Sequence, residues 1–214
     1  MSKESAHIQQ PQQTRSRETM KLILEAAAQI LEEKNFEELT IAEVVQKAGT
    51  SVGAFYGRFK DKEALLQTLD EQFFETFEAA VRAVLAPQNW EGKSISSIVR
   101  EVTRLVVNTY SKEKGVLRSL NLKSRLTRDA SFKKREQSAW ADLYPQFQQA
   151  LLSNRQVITH PDPALAIRLG FQQLFYGARE ILLWEPFREP VHYTNEELIT
   201  ELTRAYLAYL GVKE

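Results

Sequence analysis

The chain contains no cysteine, which removes disulfides and thiolate metal sites from consideration together. The chain has three histidines. His7 lies in the N-terminal tail, His160 in a proline-rich turn and His192 in a loop. Glu189-Pro190-Val191-His192 reads E-x-x-H, but its proline and the lack of a second copy remove the helical geometry a di-iron bundle needs. No catalytic residue, metal or cofactor is expected. An apolar leader is missing too: residues 1–13, MSKESAHIQQPQQ, are polar and are expected to form a disordered arm rather than a secretory signal. With the missing thiols, this fits a reducing, cytoplasmic setting. Net charge is also absent, 28 basic residues against 28 acidic ones, and by itself this argues against a nucleic-acid partner.

What is present changes that last inference. The 214 residues are 43% hydrophobic, enough to bury the core of one or two domains. Charge near the N-terminus is segregated. Lys3, Arg15, Arg17 and Lys21 come first, Arg58, Lys60 and Lys62 come last, and Glu25, Glu32, Glu33, Glu37, Glu38 and Glu43 lie between them. A domain neutral in total can still present one basic edge to phosphates.

The most informative stretch is 40–62, TIAEVVQKAGTSVGAFYGRFKDK. Thr40 as N-cap, Glu43 closing a capping box, and Leu39 with Val44 as a hydrophobic staple predict a helix from Ile41. Gly49 supplies the left-handed residue that ends it, and Ser51 caps a second helix over about 52–58. Two short helices about a glycine turn make a helix-turn-helix, whose second helix enters the major groove of DNA. Gly53 and Gly57 lie on one face of that second helix, each costing about 1 kcal/mol relative to alanine. They imply close approach by something: a neighbouring helix, or a DNA groove or phosphate. Lys62 sits in the first turn of the next helix, where the macrodipole disfavours a cation unless an anion binds there.

The run TIAEVVQKAGTSVGAFYGRFKDKEAL, residues 40–65, resembles the DNA-binding signature of TetR-family transcriptional regulators. Thr40, Ala48, Gly49, Ser51, Gly53, Tyr56, Phe59 and Lys62 fall at the family's spacing, and Gly57 stands where the family more often has a larger or polar residue. The resemblance implies that Thr40, Tyr56 and Lys62 meet phosphates, with Ser51, Val52, Gly53 and Ala54 near base edges. Thr50 and Lys60 are grouped with them as DNA contacts. Arg15 and Arg17, at the start of the first helix (about Thr14–Lys34), are candidates for phosphate or minor-groove contact, with plain solvated charge as the alternative.

Beyond residue 60 the pattern is helical throughout. A long helix over about Asp61–Ala86 is expected to link the DNA-binding end to an aromatic-rich end, and further helices follow at about 94–111, 116–126, 129–153, 163–185 and 195–210. Pro145 should kink or divide the fourth of these six. Nine basic residues between Lys112 and Arg135 read as a solvated face. The 163–185 and 195–210 helices carry a wider apolar arc than a surface helix uses, which suggests a self-complementary seam involving Leu169, Gly170, Gly177, Ile181, Leu198, Leu202, Tyr206 and Tyr209. In the resembled family the last two helices pair with their copies in a four-helix bundle. Phe73, Phe77, Val102, Tyr110, Trp140, Tyr144, Phe147, Phe171, Phe175 and Tyr176 could line a cavity for a small, largely apolar effector, or simply fill the core.

The expected architecture is therefore all-α. A disordered arm (1–13) precedes a three-helix DNA-binding domain (14–60), and a long helix leads into a ligand-binding and dimerisation domain (61–214). The expected function is a homodimeric transcriptional regulator, a repressor released from its DNA operator by a small molecule, with no membrane association. The alternatives are a helical ligand- or partner-binding protein that no longer binds DNA, and a helical enzyme.

Overall fold

The computed structural model describes residues 10–126, 131–184 and 192–213. The described residues form helices and connecting turns: α1 Gln10–Glu33, α2 Ile41–Lys47, α3 Val52–Tyr56, α4 Lys62–Val84, α5 Ile95–Lys112, α6 Lys114–Leu126, α7 Ser131–Leu152, α8 Pro163–Arg179 and α9 Asn195–Leu210. Among them none is long and apolar enough to cross a membrane. The chain divides into two compact units between Glu71 and Gln72, beyond the expected boundary at 60, and α4 contributes residues to both.

In the N-terminal unit, α1 packs on α2 and α3. Ile23, Ala27 and Leu31 from α1 are buried, as are Val44 of α2, Phe55 of α3 and Leu65 and Leu66 of α4. Those leucines explain why the unit extends into α4. The first helix starts at Gln10, four residues ahead of the expected Thr14, so residues 10–13 are helical rather than part of an arm. Pro11 permits this because the first turn of a helix has no acceptor for the N–H that proline lacks. Residues 1–9 lie outside the described residues.

In the C-terminal unit, one core draws Phe77 and Val81 from α4, Val99, Val102 and Val106 from α5, Phe147 from α7, Phe171 from α8 and Leu207 from α9. Of the kink or division expected at Pro145, the division does not occur, for α7 runs undivided through it. Pro145 is exposed while Leu143 and Phe147 on either side are buried, and burial holds the helix across one missing backbone bond. α8 ends sooner than expected, at Arg179, and continues as a single π turn over Glu180–Trp184.

α9 packs on both α5 and α8, and this consumes much of the apolar arc that suggests a seam. Leu198 and Tyr206 are buried within the chain, and the Tyr206 hydroxyl donates to the Ile167 carbonyl at 2.6 Å. A Cβ on Gly170 would lie 1.9 Å from the Tyr206 ring. Gly170, Leu198 and Tyr206 thus serve the protomer's own packing rather than a seam. An arc argument that allows each helix one neighbour undercounts what a helix with several neighbours buries. Leu165, Leu169 and Tyr176 remain exposed on α8, with Gly177, Ile181, Leu202 and Tyr209 half-buried.

Candidate DNA interface and effector cavity

The helix-turn-helix follows from local chemistry. Thr40 accepts from the Glu43 N–H, and the Glu43 carboxylate accepts from the Thr40 N–H and hydroxyl. Lys34 pairs with the same carboxylate. The Lys34 ammonium and the two Thr40 hydrogen bonds hold the Glu43 carboxyl down at about 2, and the Glu43 carboxylate in return raises the Lys34 ammonium. Gly49 turns the chain at φ 61°, a conformation that costs side chains with a Cβ. Ser51 then accepts from the Ala54 N–H and starts α3.

α3 presents a bare outer face. Val52 is 48% exposed and Tyr56 56%, whereas Phe55 is fully buried against Phe59, ring centroids 5.3 Å apart. A Cβ on Gly53 would meet only the Ser51 Oγ, 3.9 Å away, and one on Gly57 only carbonyl oxygens of its own helix. Neither glycine has positive φ. Among the described residues no neighbouring helix occupies this face, and no turn requires these glycines, so neither packing nor backbone conformation accounts for them.

The flanking cations divide into two groups. Arg15, Arg17 and Lys60 are exposed. Lys62 is only half-exposed, and its ammonium donates to the carbonyls of Glu37 at 3.0 Å, Phe36 at 3.3 Å and Leu39 at 3.5 Å, over the Phe36 ring. The first-turn cation expected to need an anion therefore has carbonyl partners in the α1–α2 loop. Arg58, absent from the predicted contacts, donates from Nε to the Ser16 carbonyl at 3.1 Å and from Nη1 to the Ala54 carbonyl at 2.7 Å. It fastens the start of α1 to α3. Thr40 and Ser51 are exposed although their hydroxyls cap helices, and Thr50 and Ala54 are half-buried.

A cavity of about 210 Å³ opens within the C-terminal unit. Of the predicted lining residues, Tyr110, Trp140, Tyr144, Phe171, Phe175 and Tyr176 surround it. Phe77, Val102 and Phe147 belong to the core, and Phe73 stacks on Phe77 at its edge. Arg168, Gln172 and Arg179 also line the cavity and lie outside the predicted set. The helical period carries a signal for them: at about 100° per residue these three fall within a ~40° arc beside Phe175.

A three-helix unit in which a glycine turn sets an exposed, side-chain-poor helix beside unshielded cations is a helix-turn-helix DNA-binding domain. Residues 23–69 match the family described as bacterial regulatory proteins, tetR family. The uncharacterized HTH-type transcriptional regulator YvdT of Bacillus subtilis (strain 168) is 41% identical over 49 residues, which are 23% of this chain and 25% of that protein. The A-factor receptor protein of Streptomyces griseus is 32% identical over 66 residues, 31% of this chain and 24% of that protein. Each match spans about a quarter of the relative's length. A bacterial regulatory protein in the tetR family from Rhodococcus RHA1 shares the fold, at TM-score 0.70 and 15% identity, over 92% of this chain and 98% of that one.

Proposed function

We propose that the protein is a homodimeric transcriptional repressor of the cytoplasm that leaves its operator when a small molecule fills the C-terminal cavity. The observation that carries this reading is the bare face of α3. Gly53 and Gly57 are spared any contact from the rest of the chain while Val52 and Tyr56 stand exposed beside them. Val52 and Ala54 offer no side-chain hydrogen bonds, so they suit apolar contact with thymine methyls and readout by shape. Tyr56 and Thr40 supply hydroxyls to phosphates, and Arg15, Arg17 and Lys60 supply charge. Lys62 acts first as a clasp on the loop that leads into Thr40.

Dimerisation uses residues of α8, the π turn after it and α9 that the protomer leaves partly or fully uncovered: Leu169, Gly177, Ile181, Leu202 and Tyr209. A two-fold dimer presents two copies of α3, so its operator should be near-palindromic, with half-sites about 34–36 Å apart or a simple multiple of that.

Effector and operator compete through α4, which carries residues of both units. Binding linkage is reciprocal and typically amounts to about 1–3 kcal/mol. Selection from a random duplex pool gives the operator. Titrations of effector with and without that operator should then differ by the same factor as titrations of operator with and without effector. Equal effector affinities in the two titrations would refute the repressor-release reading. Recovery of asymmetric single half-sites would refute the two-fold arrangement.

A further inference from the structure

The cavity described above has a mostly aromatic lining that also carries cations. Among the described residues its lining includes Arg168 and Arg179 but no aspartate or glutamate. The Glu180 carboxylate lies 3.3 Å from the Arg179 guanidinium and 3.7 Å from that of Arg125, so one anion is shared between two cations. With Arg168 included, positive charge exceeds negative around the cavity.

Arg179 is the more constrained of the two lining cations. Its side chain is 16% exposed, and its guanidinium sits 4.8 Å from the Tyr176 ring centroid. Its Nε is shut off from solvent and has no hydrogen-bond acceptor among the described residues. The cavity is reached by other parts of this side chain, and an acid group there suits it, since guanidinium pairs with carboxylate through two parallel N–H donors. Arg168 lies three turns earlier on the same face of α8, ~16 Å along the axis, and is exposed. It is the more solvent-exposed of the two lining cations and suits attraction of an anion rather than its final capture. Trp140 and Phe175, also in the lining, pack edge to face at 4.5 Å and form an apolar wall.

We propose that the effector is an organic acid: an apolar body, aromatic or short aliphatic, lies against Trp140 and Phe175 while its carboxylate is held by Arg179. This rests on the reading of the cavity as the effector site, and it narrows the class of effector from apolar molecules in general to amphipathic anions. At about 210 Å³ the cavity is smaller than the ~300–1,000 Å³ usual for drug-sized ligands, so the acid should be small.

The test uses the full-length protein with phenylacetate, phenylbutyrate and phenylhexanoate, each paired with its own amide. Binding is followed by calorimetry and by the fluorescence of Trp140. For the chain length that fits, the acid should bind about tenfold or more tighter than the amide, the contribution expected of hydrogen bonds to a charged group. Arg179→Met should abolish that preference while leaving amide affinity within about twofold. Arg168→Gln should lower acid affinity less. Should Arg179→Met fail to fold, Arg179→Lys keeps the charge without the planar fork and should show a reduced preference. Equal affinity of acid and amide for the unmodified protein would overturn the inference while leaving the cavity as the effector site. Failure of every acid and every amide to bind would overturn both.

Discussion

Gly53 and Lys62 show how one residue can serve the fold and a partner differently. Glycine at 53 weakens its own helix and shields nothing, so Gly53→Ala should raise stability by about 0.5–1 kcal/mol. The same methyl would stand on the face offered to DNA, so operator affinity should fall by roughly tenfold. Thermal melting together with a binding titration checks the pair. Improved stability with unchanged DNA affinity would mean that close approach of DNA is not why position 53 lacks a side chain. Lys62 presents the reverse case. Its ammonium gathers the carbonyls of Phe36, Glu37 and Leu39, and Lys62→Ala should therefore cost about 1–2 kcal/mol of stability, because these are charge-assisted bonds at a half-exposed site. For a chain of this size that lowers Tm by roughly 2–4 °C per kcal/mol. A purely phosphate-binding lysine would leave Tm unchanged.

At the scale of elements, the helices with chemical signals at their ends are legible in the sequence. Thr40 and Glu43 set the start of α2, and Gly49 sets its end. Features decided by distant packing are not legible. Pro145 predicts a kink or a division in α7, but the buried residues around it keep the helix undivided. The partner of Lys62 comes from a loop 23–26 positions away, and no local pattern could reveal it. Gly170 reads as part of an exposed seam because the ring of Tyr206, far along the chain, cannot be seen from α8 alone. The capping box of α2 also predicts a pH response. Its Glu43 carboxyl is depressed from 4.5 to about 2 in the folded chain. Stability from this group is thus fully present above pH 4.5 and is lost as pH falls towards about 2. NMR titration should place the Glu43 midpoint near 2, and Thr40→Ala should move it upward by removing the hydrogen bond from the Thr40 hydroxyl. A midpoint near the ordinary carboxylate value would show that the box does not persist in solution.

For the whole molecule, the assembly can be separated from the protomer by two glycines on one helix. A Cβ at Gly170 would collide with Tyr206, whereas one at Gly177 would rest 3.8 Å from Leu202 in ordinary contact. Gly170→Ala should accordingly cost about 1–3 kcal/mol through overpacking, with no direct effect on dimer affinity. Gly177→Glu should leave the protomer folded and split the dimer by placing a charge in the α8–α9 seam. Sedimentation and melting curves distinguish the two outcomes, and an intact dimer in Gly177→Glu would place the seam elsewhere. The bare front of α3 has a further consequence, for evolution rather than for binding. Val52 and Gly53 are exposed, and Ala54 supplies Ser51 with a backbone N–H that any residue except proline would also supply. These positions can therefore vary with little penalty to folding, so a duplicated copy of this regulator could drift to a new operator while keeping its effector, and a randomised library at 52–54 is the natural starting point for retargeting it.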